Sequence, residues 1–181
     1  MFKKVTTSVR ILSAAGVEAA ASGHPGMPLG MADVGTVMYK KFLKVSTLNP
    51  SWINRDRFIL SPGHGSMLLY SLLHLNGFDL TIEDLKNFRQ HNSKTPGHPE
   101  LDPSLGIDMT TGPLGQGLST GVGFALAEKY LSELLGKDII DHFTYGIVSD
   151  GDLMEGISFE AAELAGVWQL GKLIYVFDNN N

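Results

Sequence analysis

Polar and apolar positions divide the chain into amphipathic, helix-sized segments and short continuous apolar runs. Phe2 to Ala21 reads as a helix rich in small residues. Ser22-Gly23-His24-Pro25-Gly26 ends it, since the residue before a proline resists helical geometry and glycine breaks it. Leu29 to Phe42 reads as a second helix. After a loop at Asn49-Pro50-Ser51, Arg57 to Leu60 reads as a short buried strand entering Ser61-Pro62-Gly63-His64-Gly65, and Ser66 to Leu75 as a third helix. Thr81 caps a short helix with Asp84 at its third position, a weaker form of the capping box. Phe88 to Gly106 is a polar excursion containing Pro and Gly, and irregular chain of that length is usually functional or poorly ordered. Gly112-Pro113-Leu114-Gly115-Gln116-Gly117 then opens a helix that runs toward Leu135. An apolar run from Phe143 to Val148, an amphipathic helix marked by Ile157, Ala161, Leu164, Ala165 and Trp168, and a last apolar run from Leu173 to Phe177 complete the chain.

Apolar strands alternating with helices predict an α/β fold, a mainly parallel sheet flanked by helices. In such a sheet, strand, helix and strand return the chain in one direction, so strand ends meet on one edge, where ligands bind. Asp150-Gly151 closes the Phe143 run and Asn179-Asn180 closes the Leu173 run. Paired strands lie about 4.8 Å apart, which allows Asp150 and Asn180 each to give an oxygen to one ion. Magnesium suits such a shell, with one or two protein oxygens and the remainder from phosphate and water. Taken singly, each of these segments also reads as an ordinary turn. The strand-like runs make a thin sheet whose last strand has no helix to cover it, so the fold is expected to be incomplete at the C-terminus, with exposed apolar surface that promotes association.

With 181 residues, 43% hydrophobic and 18% charged, the chain has ordinary globular composition, which excludes disorder and fibrous classes. A net charge of -5 gives no electrostatic footprint for nucleic acid, and the Lys3-Lys4 and Lys40-Lys41 pairs are too small to make one. No cysteine is present, which removes disulfides and thiolate chemistry. The first residues lack a signal-peptide core and no apolar run approaches a membrane span, so a cytoplasmic location without membrane contact is the default expectation.

The glycine loop Gly112 to Gly117 resembles loops that let the backbone approach a ligand at a helix start, where free N–H groups favour anions, although a structural turn explains it equally. No Lys-Ser or Lys-Thr follows it, so it is not a nucleotide P-loop. His24, His64, His91 and His98 sit in loops or loop-helix junctions bordered by Gly or Pro. Imidazole there serves to hydrogen-bond a diphosphate or a substrate hydroxyl or to move a proton, or is simply solvated. No paired-histidine zinc spacing occurs. Glu155 complements a helix dipole or works at a subunit or cofactor contact, and Asp152 reads as a helix-start residue.

Ser22-Gly23-His24-Pro25-Gly26, Leu60-Ser61-Pro62-Gly63-His64-Gly65-Ser66, Phe88-Arg89-Gln90 with Lys94-Thr95-Pro96-Gly97-His98-Pro99, Thr110-Thr111-Gly112-Pro113-Leu114-Gly115-Gln116-Gly117, and Asp150-Gly151 through Met154-Glu155-Gly156 to Asn180 follow one another in a fixed order. This series resembles the amino-terminal part of the transketolases over essentially all 181 residues. The resemblance implies a thiamine-diphosphate enzyme, usually with magnesium and with calcium or manganese as substitutes. Its reaction moves a two-carbon ketol unit from a ketose phosphate to an aldose phosphate in the pentose phosphate pathway, and the enzyme is a homodimer. By the same resemblance Asp150 and Asn180 bind the metal, Asn180 and Gly151 touch the diphosphate, and His64 with Gly112, Pro113 and Leu114 contacts the cofactor. His24 and His98 are the implied catalytic residues lining the donor-sugar channel, Glu155 matches a cofactor-site acid near the dimer interface, and Arg89 stands beside the substrate funnel. Ser149 departs from the family pattern, which has glycine there. Residues 1–181 correspond to the amino-terminal part of the diphosphate-binding domain. The carbonyl completing the metal shell, the pyrimidine-binding domain with its activating glutamate, and the C-terminal domain are expected to be absent, leaving these residues inactive by themselves. A deoxyxylulose-phosphate synthase or split transketolase subunit is the alternative within the superfamily. A noncatalytic oligomerisation or regulatory domain is the alternative outside enzymes.

Overall fold

Thr6, Val9, Ser13 and Gly16 recur at three- and four-residue steps and give the first helix, α1 (Phe2–Ala20), its buried stripe. In the computed structural model, which describes residues 2–179, the chain forms two units, Met1–Phe42 with Gly63–Thr110 and Leu43–Pro62 with Thr111–Asn181. Helix α1 ends where predicted, with Ala21 in left-handed geometry at φ 47°. The second predicted helix, Leu29 to Phe42, is instead broken into α2 (Gly26–Gly30), α3 (Ala32–Val37) and a wider π-type turn at Met38–Phe42. Gly26 and Gly30 weaken helix propensity at this point, and the break at Met31 lets Met27, Met31 and Ala32 all be buried.

Helix α4 (Ser66–Leu75) is the centre of the first unit, buried continuously from Ser66 to Leu73. A helix apolar on every side must be covered on every side, and α1 and α3 both pack against it. Ser13 Oγ, fully buried on α1, donates to Met67 O at 3.1 Å. Helix α5 (Ile82–Lys86) carries the predicted cap, with Thr81 Oγ1 accepting from Asp84 N and the Asp84 carboxylate accepting from Thr81 N. The polar excursion after it is pinned rather than loose. Tyr70 Oη donates to Pro96 O at 2.8 Å, Ser66 Oγ to Gly97 O at 2.9 Å, and Thr95 Oγ1 to Asp84 O at 2.7 Å.

The second unit contains the sheet. Strands β1 (Arg57–Leu60), β2 (Thr144–Ser149) and β3 (Leu173–Asp178) pair in parallel in the order β1-β2-β3. The predicted strands are thus borne out to within a residue at each end. Central β2 is buried along its whole length. Helices α6 (Gln116–Leu135) and α8 (Gly156–Val167) pack on each other and enclose a core of Leu118, Val122, Ala125, Val148, Ala161 and Leu170. Edge strand β3 leaves Ile174 and Phe177 exposed, and α8 leaves Phe159 and Val167 exposed. At the sheet's entrance the buried carboxylate of Asp56 accepts from Lys44 N at 2.8 Å and from Phe143 N at 2.7 Å, tying the starts of β1 and β2 together. Among the described residues no helix is long and apolar enough to cross a membrane.

Tyr175 reaches from β3 to the first turns of α6, where its hydroxyl donates to Leu118 O at 2.7 Å. Gly121 makes that reach possible, because a Cβ there would lie 1.8 Å from the Tyr175 oxygen. Gly121→Ala is therefore expected to lower stability by about 3 kcal/mol, the upper range for overpacking a tight core. Tyr175→Phe, which by itself loses about 1 kcal/mol with its hydrogen bond, should restore part of that loss in the double variant. Urea denaturation of the four proteins measures this, and additive losses would contradict the packing account.

Candidate functional site

The carboxyl ends of β2 and β3 are expected to carry the chemistry of the second unit. Ser149 is paired with Asp178 in the parallel register, so the residues that follow, Asp150 and Asn179, stand at matching positions on this edge. Asp150 is the first residue of a short helix, α7 (Asp150–Met154), rather than part of an open turn, and it is half-buried. Ser149, the departure from the family pattern, caps that helix: its Oγ accepts from Asp152 N, while the Asp152 carboxylate accepts from Ser149 N at 3.0 Å. A glycine at position 149 could not supply this cap. Asn180, the second expected metal ligand, lies outside the described residues.

Asp152 does more than begin a helix. It is fully buried, and its other oxygen, Oδ1, accepts from Ser61 Oγ and from Gly115 N, both at 2.8 Å. Ser61 Oγ in turn accepts from Leu118 N at 3.0 Å. One carboxylate thereby joins the end of β1, the glycine loop before α6, and the turn after β2. Sequence reasoning assigned Asp152 only a helix start and gave Ser61 no separate role. The available signal was the Ser149-x-x-Asp152 spacing, the same capping pattern recognised at Thr81 and Asp84.

The glycine loop is held against the α7 start. Gly115 takes a left-handed φ of 80°, and a Cβ there would come within 2.9 Å of Glu155, Ile157 and Ser158. Leu114 packs over Gly151 so closely that a Cβ on Gly151 would lie 2.9 Å from Leu114 Cδ1. The structure thus brings together Leu114, Gly151 and, one residue away, Asp150. Glu155, between α7 and α8, is exposed. No group of three or more His, Asp or Glu side chains suited to a metal occurs among the described residues. A single oxygen donor such as Asp150 matches magnesium, which keeps few protein ligands and completes its shell from phosphate and water.

The first unit gathers the other predicted residues. The rings of His24 and His64 meet edge to face with centroids 5.1 Å apart. Arg89, in left-handed geometry at φ 62°, donates from Nη1 to Ser22 Oγ at 2.9 Å. Ser22, Arg89, Gln90, Pro96, Gly97 and His98 line a cleft of about 420 Å³. Partial burial, then the charges of Arg89 and His24, hold the His98 pKa below the usual histidine value of 6.5. His98 is therefore neutral at physiological pH, with one ring nitrogen free of a proton to accept one. His91 is exposed and contributes to neither the ring pair nor the cleft.

A parallel sheet with an acid-bearing helix start and a clamped glycine loop at its strand ends defines an α/β domain of the class that binds ligands at that edge. The family model "Transketolase, thiamine diphosphate binding domain" matches residues 1–181. The chain belongs to this family. It is 58% identical to the transketolase of Bacillus subtilis over 99% of its own length and 27% of that protein's. The crystal structure of transketolase from Campylobacter jejuni superimposes with a TM-score of 0.96 at 54% identity, covering 99% of this chain and 28% of that one. The structure of Pichia stipitis transketolase in complex with sedoheptulose-7-phosphate gives a TM-score of 0.95 at 50% identity, again over 99% of this chain and 27% of that one. The chain thus spans less than a third of the length of the relatives it matches.

The placement of His98 yields a direct expectation. Followed by NMR, its ring should titrate with a midpoint below 6.5, and Arg89→Ala should move the midpoint upward by removing a nearby positive charge. Because burial is the larger cause, the variant should stay below 6.5. A midpoint unmoved by the substitution would show that the guanidinium does not act on this ring.

Proposed function

We propose that the strand-end edge of the second unit binds the diphosphate of thiamine diphosphate through a divalent cation, and that the chain serves ketol transfer. In this reading a two-carbon unit passes from a ketose phosphate to an aldose phosphate, as expected of transketolase in the pentose phosphate pathway of the cytoplasm, within a homodimer. The observation that carries the reading is the packing of Leu114 on Gly151 beside Asp150, with Asp152 holding both segments. Membership of the family and the sedoheptulose-7-phosphate complex of the Pichia stipitis relative support the cofactor and the substrate class.

When bound, the thiazolium of the cofactor supplies the electron sink for breaking and re-forming a carbon–carbon bond next to a carbonyl. The residues of this chain bind and orient. Asp150 gives the cation a carboxylate oxygen, with Asn180 as its expected partner ligand, and magnesium is preferred over calcium or manganese for a shell completed by phosphate oxygens. Gly151 and Gly112-Pro113-Leu114 present backbone to the cofactor, where side chains would obstruct it. His64 and Glu155 keep their cofactor assignments on family resemblance alone. His24 and His98 hydrogen-bond sugar hydroxyls, and neutral His98 has a nitrogen to take up a proton there. The 181 residues by themselves are expected to show no turnover, since they span only 27% of the length of the Bacillus subtilis relative.

Calorimetric titration of thiamine diphosphate tests this reading. Binding that requires magnesium and weakens at least about tenfold in Asp150→Ala, as expected for loss of a metal ligand, is the predicted result. Binding indifferent to magnesium and to the substitution would contradict the assigned site. No binding by the wild-type chain would count against a working cofactor site within these 181 residues.

A further inference from the structure

We infer that Asp152 is a positioning residue for cofactor binding: without touching the cofactor, it fixes the glycine loop and the metal-bearing turn relative to each other. The inference rests on the cofactor reading above and adds a residue to it. A helix cap accounts for only half of what Asp152 does. Capping α7 uses Oδ2, which accepts from Ser149 N at 3.0 Å and Ser149 Oγ at 3.2 Å. Oδ1 points away from that helix's own start and accepts from Ser61 and Gly115, residues separated from it by 91 and 37 positions. Its backbone carbonyl accepts from Ser158 Oγ at 2.5 Å, which adds the first turn of α8.

These bonds set the assigned cofactor contacts. Gly115 N is held one residue after Leu114, and Ser149 N one residue before Asp150. A shift of either segment would separate Leu114 from Gly151, where a Cβ on the glycine would lie 2.9 Å from Leu114 Cδ1. The carboxylate suits this task because it offers two acceptor oxygens and no donor. A carboxamide of the same shape has one acceptor oxygen and one donor nitrogen. In either orientation of the amide, its N–H₂ faces a backbone N–H, of Ser149 or of Gly115. Asp152→Asn therefore keeps volume and removes one arm of the clamp.

The test is a double-mutant cycle on the affinity for thiamine diphosphate with magnesium, measured calorimetrically well below every melting temperature. Asp152→Asn should weaken binding about tenfold or more, the usual effect of losing an outer partner that orients a metal site. Ser61→Ala should weaken it less, and the double variant should bind as Asp152→Asn does, since both act through one hydrogen-bonded network. Amide exchange at Gly115 should accelerate in Asp152→Asn. Asp56→Asn, which loses a carboxylate hydrogen bond at the opposite end of the sheet, serves as the stability control and should leave affinity unchanged. Asp152→Asn binding within about twofold of wild type, or a cycle that is simply additive, would overturn the positioning role while leaving the cofactor reading intact. If the wild-type chain does not bind, the cofactor reading fails first and this inference with it.

Discussion

The strand-end edge of the second unit depends on a buried carboxylate whose hydrogen-bond partners among the described residues are hydroxyl and backbone N–H groups. Asp152 is shielded from water yet accepts hydrogen bonds from Ser149 N, Ser149 Oγ, Ser61 Oγ and Gly115 N. An isolated charge in such a place would be costly, whereas one whose lone pairs are filled by fixed N–H and O–H groups is supported and directional. Ser149 N and Oγ belong to the last residue of β2, whereas Ser61 follows β1 and Gly115 precedes α6, and no strand ladder reaches from β2 to the glycine loop. The carboxylate supplies the bonds that the ladder cannot.

Two neighbouring acids divide the work at this edge. Asp152 is turned inward and saturated by the protein, while Asp150, two residues earlier on the same short helix, is half-buried at the strand edge. The local cause is the cap: Ser149 begins α7, so positions 150 and 152 fall on different sides of its first turn. A comparable acid works at the opposite end of the sheet, where Asp56 ties the starts of β1 and β2 through backbone N–H groups. The parallel sheet is thus fastened at both ends by buried carboxylates, and the edge carrying Asp150 is the one with the clamped glycine loop.

Much of this was legible in the sequence. Apolar runs gave the three strands, because buried parallel strands need continuous hydrophobic side chains and little else. The Thr81 cap was also legible, since both of its partners lie within four residues. The break in the second helix was not, because it depends on burying Met27, Met31 and Ala32 together rather than on any strong stop signal. Asp152 was read only as a helix start for a different reason. Its local capping pattern is visible, but the bond to Ser61 spans 91 positions, and no spacing rule reports a contact of that separation. The histidines show the same division, with their glycine-bordered loops readable from sequence and the edge-to-face meeting of His24 and His64 visible only in the fold.

The most direct test of the central claim is amide NMR mapping of the chain during addition of thiamine diphosphate with magnesium. The account predicts that, within the second unit, the largest shifts fall on Gly112, Leu114, Gly115, Asp150 and Gly151, and that they vanish when magnesium is withheld. Shifts centred on the entrance of the sheet near Asp56, or none at the glycine loop despite binding, would contradict it.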